Sequence, residues 1–178
     1  MKILIPFAVI LLTVACSGRK LTEKQQQETA LRKMVQYEDS VKMLSSNPDI
    51  AVQYSDKCLD FYRRFPDSKE APKYLDRAHM ILTSAGMNQR AVLYADTLIR
   101  RYPKYENRPM VLLSLATAYD MFLVPRNKQQ AEKYYRMWLE ENPQAPAEQR
   151  SDIEHRLKYI NLSYDEMLSR QVPETSVK

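Results

Sequence analysis

AVLYADTLIRRYPKYENRP, residues 91–109, is the stretch whose reading decides the fold. Ala91, Tyr94, Ala95, Leu98, Ile99 and Tyr102 recur at steps of one, three and four, so their side chains share one side of a helix. Pro103 ends that helix, because proline disfavours helical geometry in the residue before it and lacks a backbone N–H. Pro109 stands early in the next helix, where a missing N–H costs little. The stretch therefore reads as helix, turn, helix.

The same plan lies on both sides of it. Upstream, Tyr54, Cys58, Phe61, Tyr62 and Phe65 stripe a helix from about Ile50 to Arg64, ended by Pro66. Pro72 then opens a helix striped by Tyr74, Leu75, Ala78, Ile81 and Leu82, with Gly86 as its left-handed C-terminal cap. Further upstream, Ala30, Leu31, Met34, Tyr37, Val41 and Leu44 predict a helix within Leu21 to Leu44, and Asn47 or Asp49 is placed to cap the helix after it. Downstream, Leu112, Leu115, Ala116, Tyr119 and Phe122 stripe the helix that contains Pro109. Ala131, Tyr134, Tyr135, Trp138 and Leu139 stripe another, which stops at Asn142-Pro143. A single last helix is predicted over Ala147 to Arg170, with Ile153, Leu157, Ile160, Tyr164 and Leu168 on one side.

Pro66 and Pro103 stand 37 positions apart, as do Pro72 and Pro109; Pro103 and Pro143 stand 40 apart. A period of this length with two helices in it is the sequence mark of a helical solenoid. A lone helical hairpin cannot bury its own apolar stripe, so hairpins must stack, and stacking leaves a concave face. The composition agrees with an all-α chain. The 178 residues hold only 2 glycines, with 44% hydrophobic and 28% charged side chains. The net charge of +5 is modest and does not call for nucleic acid.

Little catalytic chemistry is visible. With Gly18 and Gly86 alone there is no glycine-rich phosphate loop, and neither a Cys-x-x-Cys nor a His-Glu-x-x-His run occurs. His79 and His155 fall on different predicted helices and read as ordinary packed or exposed helix residues. No catalytic residue, metal ligand or cofactor is therefore assigned. Arg63-Arg64 and Arg100-Arg101 precede the terminal prolines, where positive charge is favourable at a helix C-terminus. Cys58 lies on an apolar stripe and reads as a small buried hydrophobe without a disulfide partner.

The first residues give an address. Lys2 precedes an apolar run from Ile3 to Ala15, too short to span a bilayer but long enough for a signal-peptide core. Leu12-Thr13-Val14-Ala15-Cys16 resembles the lipobox of a bacterial lipoprotein signal, with Thr13 at a place usually held by Leu or Val. The resemblance implies cleavage before Cys16 and lipid on that residue. Each buried acyl CH2 contributes about 0.8 kcal/mol, so several chains hold such a protein on a membrane. Ser17 after the cysteine resembles the signal for transport to the outer membrane, and the lack of an acidic cluster after Cys16 favours the periplasmic face. The expected division is a signal peptide over 1–15, a lipidated tether over 16–22, a repeat domain over 23–170 and a frayed tail over 171–178.

Twelve positions before the terminal prolines stand Tyr54, Ala91 and Ala131; Leu115-Ala116 with Tyr119 occupies the preceding helix of the last unit. This pattern resembles the tetratricopeptide repeat family, with the first unit departing at Tyr54. The resemblance implies a right-handed α-α superhelix of about three hairpins plus a C-terminal capping helix, with a groove that binds another protein. Tyr37, Tyr74 and Tyr119, on the first helix of each hairpin, are the candidate groove residues. The expected partner is another cell-envelope protein, as for the repeat lipoprotein of the outer-membrane β-barrel assembly machine and the periplasmic repeat domains of cell-division coordinators. A glycan or peptide bound by the aromatic groove is the alternative.

Overall fold

The computed structural model describes residues 21–43 and 48–171. Cys16, the lipobox, the tail after 171 and the cap at Asn47 lie outside the described residues. Those described are all-helical: α1 (Glu23–Met43), α2 (Pro48–Arg64), α3 (Ala71–Ser84), α4 (Asn88–Arg101), α5 (Arg108–Thr117), a π-helical turn (Ala118–Phe122), α6 (Lys128–Glu141), α7 (Ala147–Lys158) and α8 (Tyr164–Gln171).

Local chemistry explains the ends. Thr22 and Gln25 bond reciprocally at the start of α1, side chain to backbone in both directions. Asn127 accepts from the backbone of Gln130 at the start of α6. Pro72 and Pro109 occupy the first turns of α3 and α5. Gly86 has φ +71°, with Met87 N bonded to Leu82 O and Gly86 N to Thr83 O, the paired closure expected of a left-handed C-terminal cap. Before Pro103 and Pro143, Tyr102 and Asn142 leave the helix at nearly the same angles, φ −123° ψ 67° and φ −124° ψ 58°. The two turns are structural copies.

From α1 to α7 each helix packs on its chain neighbours, and side-chain hydrogen bonds join elements two apart. Arg90 on α4 reaches Asp56 on α2, and Tyr134 on α6 reaches Asp96 on α4, across 34 and 38 positions. His79 on α3 reaches Ser114 on α5, and Arg156 on α7 reaches Asp120 in the π turn, across 35 and 36 positions. α2, α4 and α6 thus form one layer and α1, α3, α5 and α7 the other. The core lies between them, from Met34 and Cys58 through Leu75, Leu98, Leu112 and Trp138 to Ile153. Ala91 and Ala131 are buried, as is Tyr54 at the same place in the first unit.

Two sequence expectations are corrected. The α5 stripe does not run on to Phe122, which is 50% exposed. The π turn inserts one residue, with Leu123 N bonded to Ala118 O, and so rotates the helix. Ala118 and Asp120 turn inward in place of Phe122. The last helix is also not continuous. It breaks at Tyr159–Ser163, because Arg156 donates to the carbonyls of Tyr159 and Leu162, both at 2.9 Å, and so satisfies the end of α7. Ser163 and Glu166 then cap α8 reciprocally. Met167 takes the buried place, while Tyr164 and Leu168 are exposed.

Candidate functional site

The odd-helix layer carries two polar clusters under its surface. The first joins α3 to α5. Asp76 and His79 lie one helical turn apart on α3, both buried. His79 Nδ1 lies 3.2 Å from Asp76 Oδ1, while the Tyr105 hydroxyl (3.0 Å) and Asn107 Nδ2 (2.7 Å) donate to Oδ2. Burial alone would lift the Asp76 carboxyl; the donors His79, Asn107 and Tyr105 outweigh it and hold the group below its ordinary range. An ionised carboxylate only accepts, so His79 Nδ1 carries the hydrogen. The other ring nitrogen, Nε2, is within hydrogen-bond distance of the Ser114 hydroxyl, at 2.8 Å.

Above this line is an opening of about 390 Å³ between α3 and α5. Met80 and Met110 stand at its rim, 53% and 59% exposed, with Thr83 and Val111 on its walls. The Thr83 hydroxyl gives its hydrogen to the His79 carbonyl at 3.0 Å. A second opening, between α5, α7 and α8, is lined by Leu113, Thr117, Met121 and Leu168 among others. α5 is the wall that the two openings share.

The second cluster holds the far side of α5. Asp120 is buried and accepts from Arg126 Nε (2.9 Å) and Nη2 (2.6 Å) and from Arg156 Nε (2.6 Å) and Nη2 (2.7 Å). Arg126 also donates to the Ile160 carbonyl at 2.8 Å. One carboxylate thus pins the π turn, the loop after it and the end of α7.

The sequence-derived candidates fall in three different settings. Tyr37 is 44% exposed on α1, with the Lys57 ammonium 5.8 Å from its ring centre. Tyr119 is half-buried and stacked on Tyr134 at 5.9 Å. Tyr74 is corrected: at 2% exposure it is a core residue rather than a groove residue, packed on Phe61 at 4.8 Å. Burial, with Glu38 and Cys58 near it, pushes its phenol up to about 12. These three tyrosines do not converge. Three of these arginines are ion-paired, Arg63 with Asp60 and Arg100 with Asp96 within their own helices and Arg101 with Asp67 across 34 positions, while Arg64 lies over Phe65. Cys58 is fully buried, as its stripe position predicts.

Convergent polar clusters were not visible in the sequence. The Asp76-x-x-His79 spacing is the one local signal for the first; Ser114 and Asn107 join it only through the packing of α5 on α3. Among the described residues, no group of three His, Cys, Asp or Glu side chains is placed to hold a metal ion, and no helix is long and apolar enough to cross a membrane. Comparison with protein-family models, with curated proteins and with solved structures returns no match for this chain.

Proposed function

We propose that this chain is a non-enzymatic, lipid-anchored helical-repeat adaptor of the bacterial cell envelope, whose odd-helix face grips another envelope protein. The observation that carries the reading is the pair of openings flanking α5, rimmed by the solvent-facing side chains of Met80, Met110 and Met121. Unbranched thioether side chains adapt their shape to a partner, which suits a protein-binding face. The tetratricopeptide-like superhelix is supported by alternating helix layers and by contacts that recur across 34 to 38 positions. The anchor is supported by the lipobox at Leu12–Cys16.

A binding role, rather than acyl transfer at Ser114, follows from the donors around that hydroxyl. An acyl-transfer centre needs hydrogen-bond donors aimed at the developing oxyanion. Ser114 lies in the body of α5, where backbone N–H groups are engaged within the helix. Thr83 donates to His79 O, and Asn107 donates to Asp76. The Ser114–His79–Asp76 line is a device that registers α3 against α5.

Site-specific photo-crosslinking tests the face. Benzoylphenylalanine introduced at Met110 should trap one envelope protein in intact cells. The same group at Leu93, 65% exposed on α4 in the other layer, should not. Equal adducts from both positions, or none from either, would refute the assignment. Cys16→Ala should abolish fatty-acid labelling; unchanged labelling would rule out the anchor.

A further inference from the structure

We propose that the end of the array built from the α2–α3 and α4–α5 turns lies against the anionic phospholipid surface to which the chain is tethered, an assignment that rests on the lipid-anchored reading above. Connectivity puts this end beside the anchor. Gln27, in the first turns of α1, donates from Nε2 to the Ser68 hydroxyl at 2.8 Å, so α1 starts next to the α2–α3 turn. Arg101 reaches Asp67 at 2.9 Å and the Tyr102 hydroxyl donates to the Pro66 carbonyl, which brings the α4–α5 turn to the same end. Cys16 lies five positions before Leu21, where the described residues begin, and that length of chain spans at most about 18 Å. The α3–α4 and α5–α6 turns meet at the opposite end, a helix length away.

The charge at the anchored end is not balanced from within. Arg63, Arg100 and Arg101 each face a carboxylate. Lys73 approaches Glu70 only at 3.9 Å, with both side chains about half exposed. Arg64, Lys69 and Lys104 have no carboxylate of the described residues within 4.0 Å, against one carboxylate here in the same position, Glu106. A helix C-terminus accounts for the arginines. Lys69 and Lys104 lie exposed in the turns beyond it, where that reason does not apply. The basic surface is also confined to the two turns nearest the start of α1: before Pro143, Glu140 and Glu141 take the places that Arg63-Arg64 and Arg100-Arg101 hold before Pro66 and Pro103.

Between the two turns is an opening of about 560 Å³, lined by Lys69, Lys73 and Lys104, by the two glutamates, and by Pro72, Pro103, Tyr102 and Tyr105. Both tyrosine hydroxyls donate inside the protein, to the Pro66 carbonyl and to Asp76, so the lysine ammonium groups are the donors left to an outside anion. Ammonium groups on flexible stems meet phosphates without requiring one fixed geometry. Set beside proline and tyrosine surface, they match the headgroup level of a bilayer, where phosphate lies next to apolar chain.

The lipidated chain reconstituted in vesicles provides the test. Flotation reports the anchor; acetylation by a membrane-impermeant succinimidyl ester, read lysine by lysine by mass spectrometry, reports the docked end. Lys69, Lys73 and Lys104 should be protected on vesicles containing phosphatidylglycerol relative to vesicles of phosphatidylcholine alone. Lys128 and Lys133, exposed on α6, should react equally on both. Raising salt from about 0.15 M to about 1 M should erase the difference, because the screening length falls from about 8 Å to about 3 Å. Each lysine held at an anionic surface is worth about fivefold, so Lys69→Gln combined with Lys104→Gln should reduce the protection of Lys73 about 25-fold. A chain that does not float sinks the anchor and the docked end with it. A chain that floats but is acetylated equally on both kinds of vesicle sinks the docked end and leaves the anchor standing. Protection of Lys128 to the same degree as Lys104 would also overturn the assignment, since no one end would then face the lipid. So would protection reversed by millimolar glycerol phosphate at constant ionic strength, because the ligand would then be a soluble phosphate.

Discussion

Asp120→Asn is the substitution that probes the architecture most sharply. The wild-type side chain is fully buried against a guanidinium that is itself 7% exposed, Arg156, and another that is 24% exposed, Arg126. Burying two such cations is favourable only because one carboxylate accepts from both, in geometry close to ideal. The amide keeps the shape but removes the charge and turns an NH2 toward one guanidinium. Breaking a buried pair in this way costs about 3–5 kcal/mol. A domain of this size has a total stability of about 5–15 kcal/mol, and each kcal/mol moves its melting temperature by about 2–4 °C. The expected loss is therefore about 6–20 °C, read by far-ultraviolet circular dichroism during heating and checked by urea titration. The double variant with Arg156→Met should be less destabilised than the sum of the two single variants by about 1–3 kcal/mol, because the second change removes the orphaned cation. If Asp120→Asn melts within about 2 °C of wild type, the carboxylate is not holding the two arginines and the account of the π turn fails.

Three other outcomes are expected. Because the folded-state pKa of Asp76 is depressed, its stabilisation is present above the unfolded carboxylate value of about 3.9 and is lost as pH falls through the lower folded value. Urea midpoints of wild type and Asp76→Asn should therefore differ at pH 7, and the gap should narrow as pH falls below about 3.9; a gap unchanged by pH would contradict this. Gly86→Ala meets no atom within 4 Å of the added Cβ, so its cost is backbone strain alone, about 1–2 kcal/mol at φ +71° by chemical denaturation; a neutral result would mean the cap is not left-handed in solution. Burial pushes the Cys58 thiol up to about 12, so iodoacetamide at pH 8 should alkylate it only after unfolding, as peptide mass spectrometry would report.

The helices were legible where an apolar stripe met a proline. Pro66, Pro103 and Pro143 each follow a helix end by two residues, and Ala91, Leu98, Ala131 and Trp138 are buried as their spacing requires. The stripe rule failed where a charged residue was the buried one. Nothing local distinguishes Asp120 from a surface aspartate: its burial depends on Arg156, which lies 36 positions away and comes near only once α7 packs on α5. The break before α8 was written in the sequence as Ser163-x-x-Glu166, but the apolar series through Ile160 and Tyr164 overrode it. The candidate site was legible only in part. Tyr74 looked amphipathic from its phenol, yet α2 supplies Phe61 to cover it. The opening between α3 and α5 depends on where two methionines and a serine meet across a seam, and no motif of adjacent residues records that.

The polar contacts along the odd layer differ from seam to seam: Glu38 with Arg77, His79 with Ser114, Asp120 with Arg156. The hairpins are therefore keyed, and their order along the chain cannot be permuted. Excising the segment from α5 through α6 would remove Asp120 and leave the buried Arg156 without its carboxylate. Lengthening or shortening this array in evolution or by design would require rewriting the lock at each new joint.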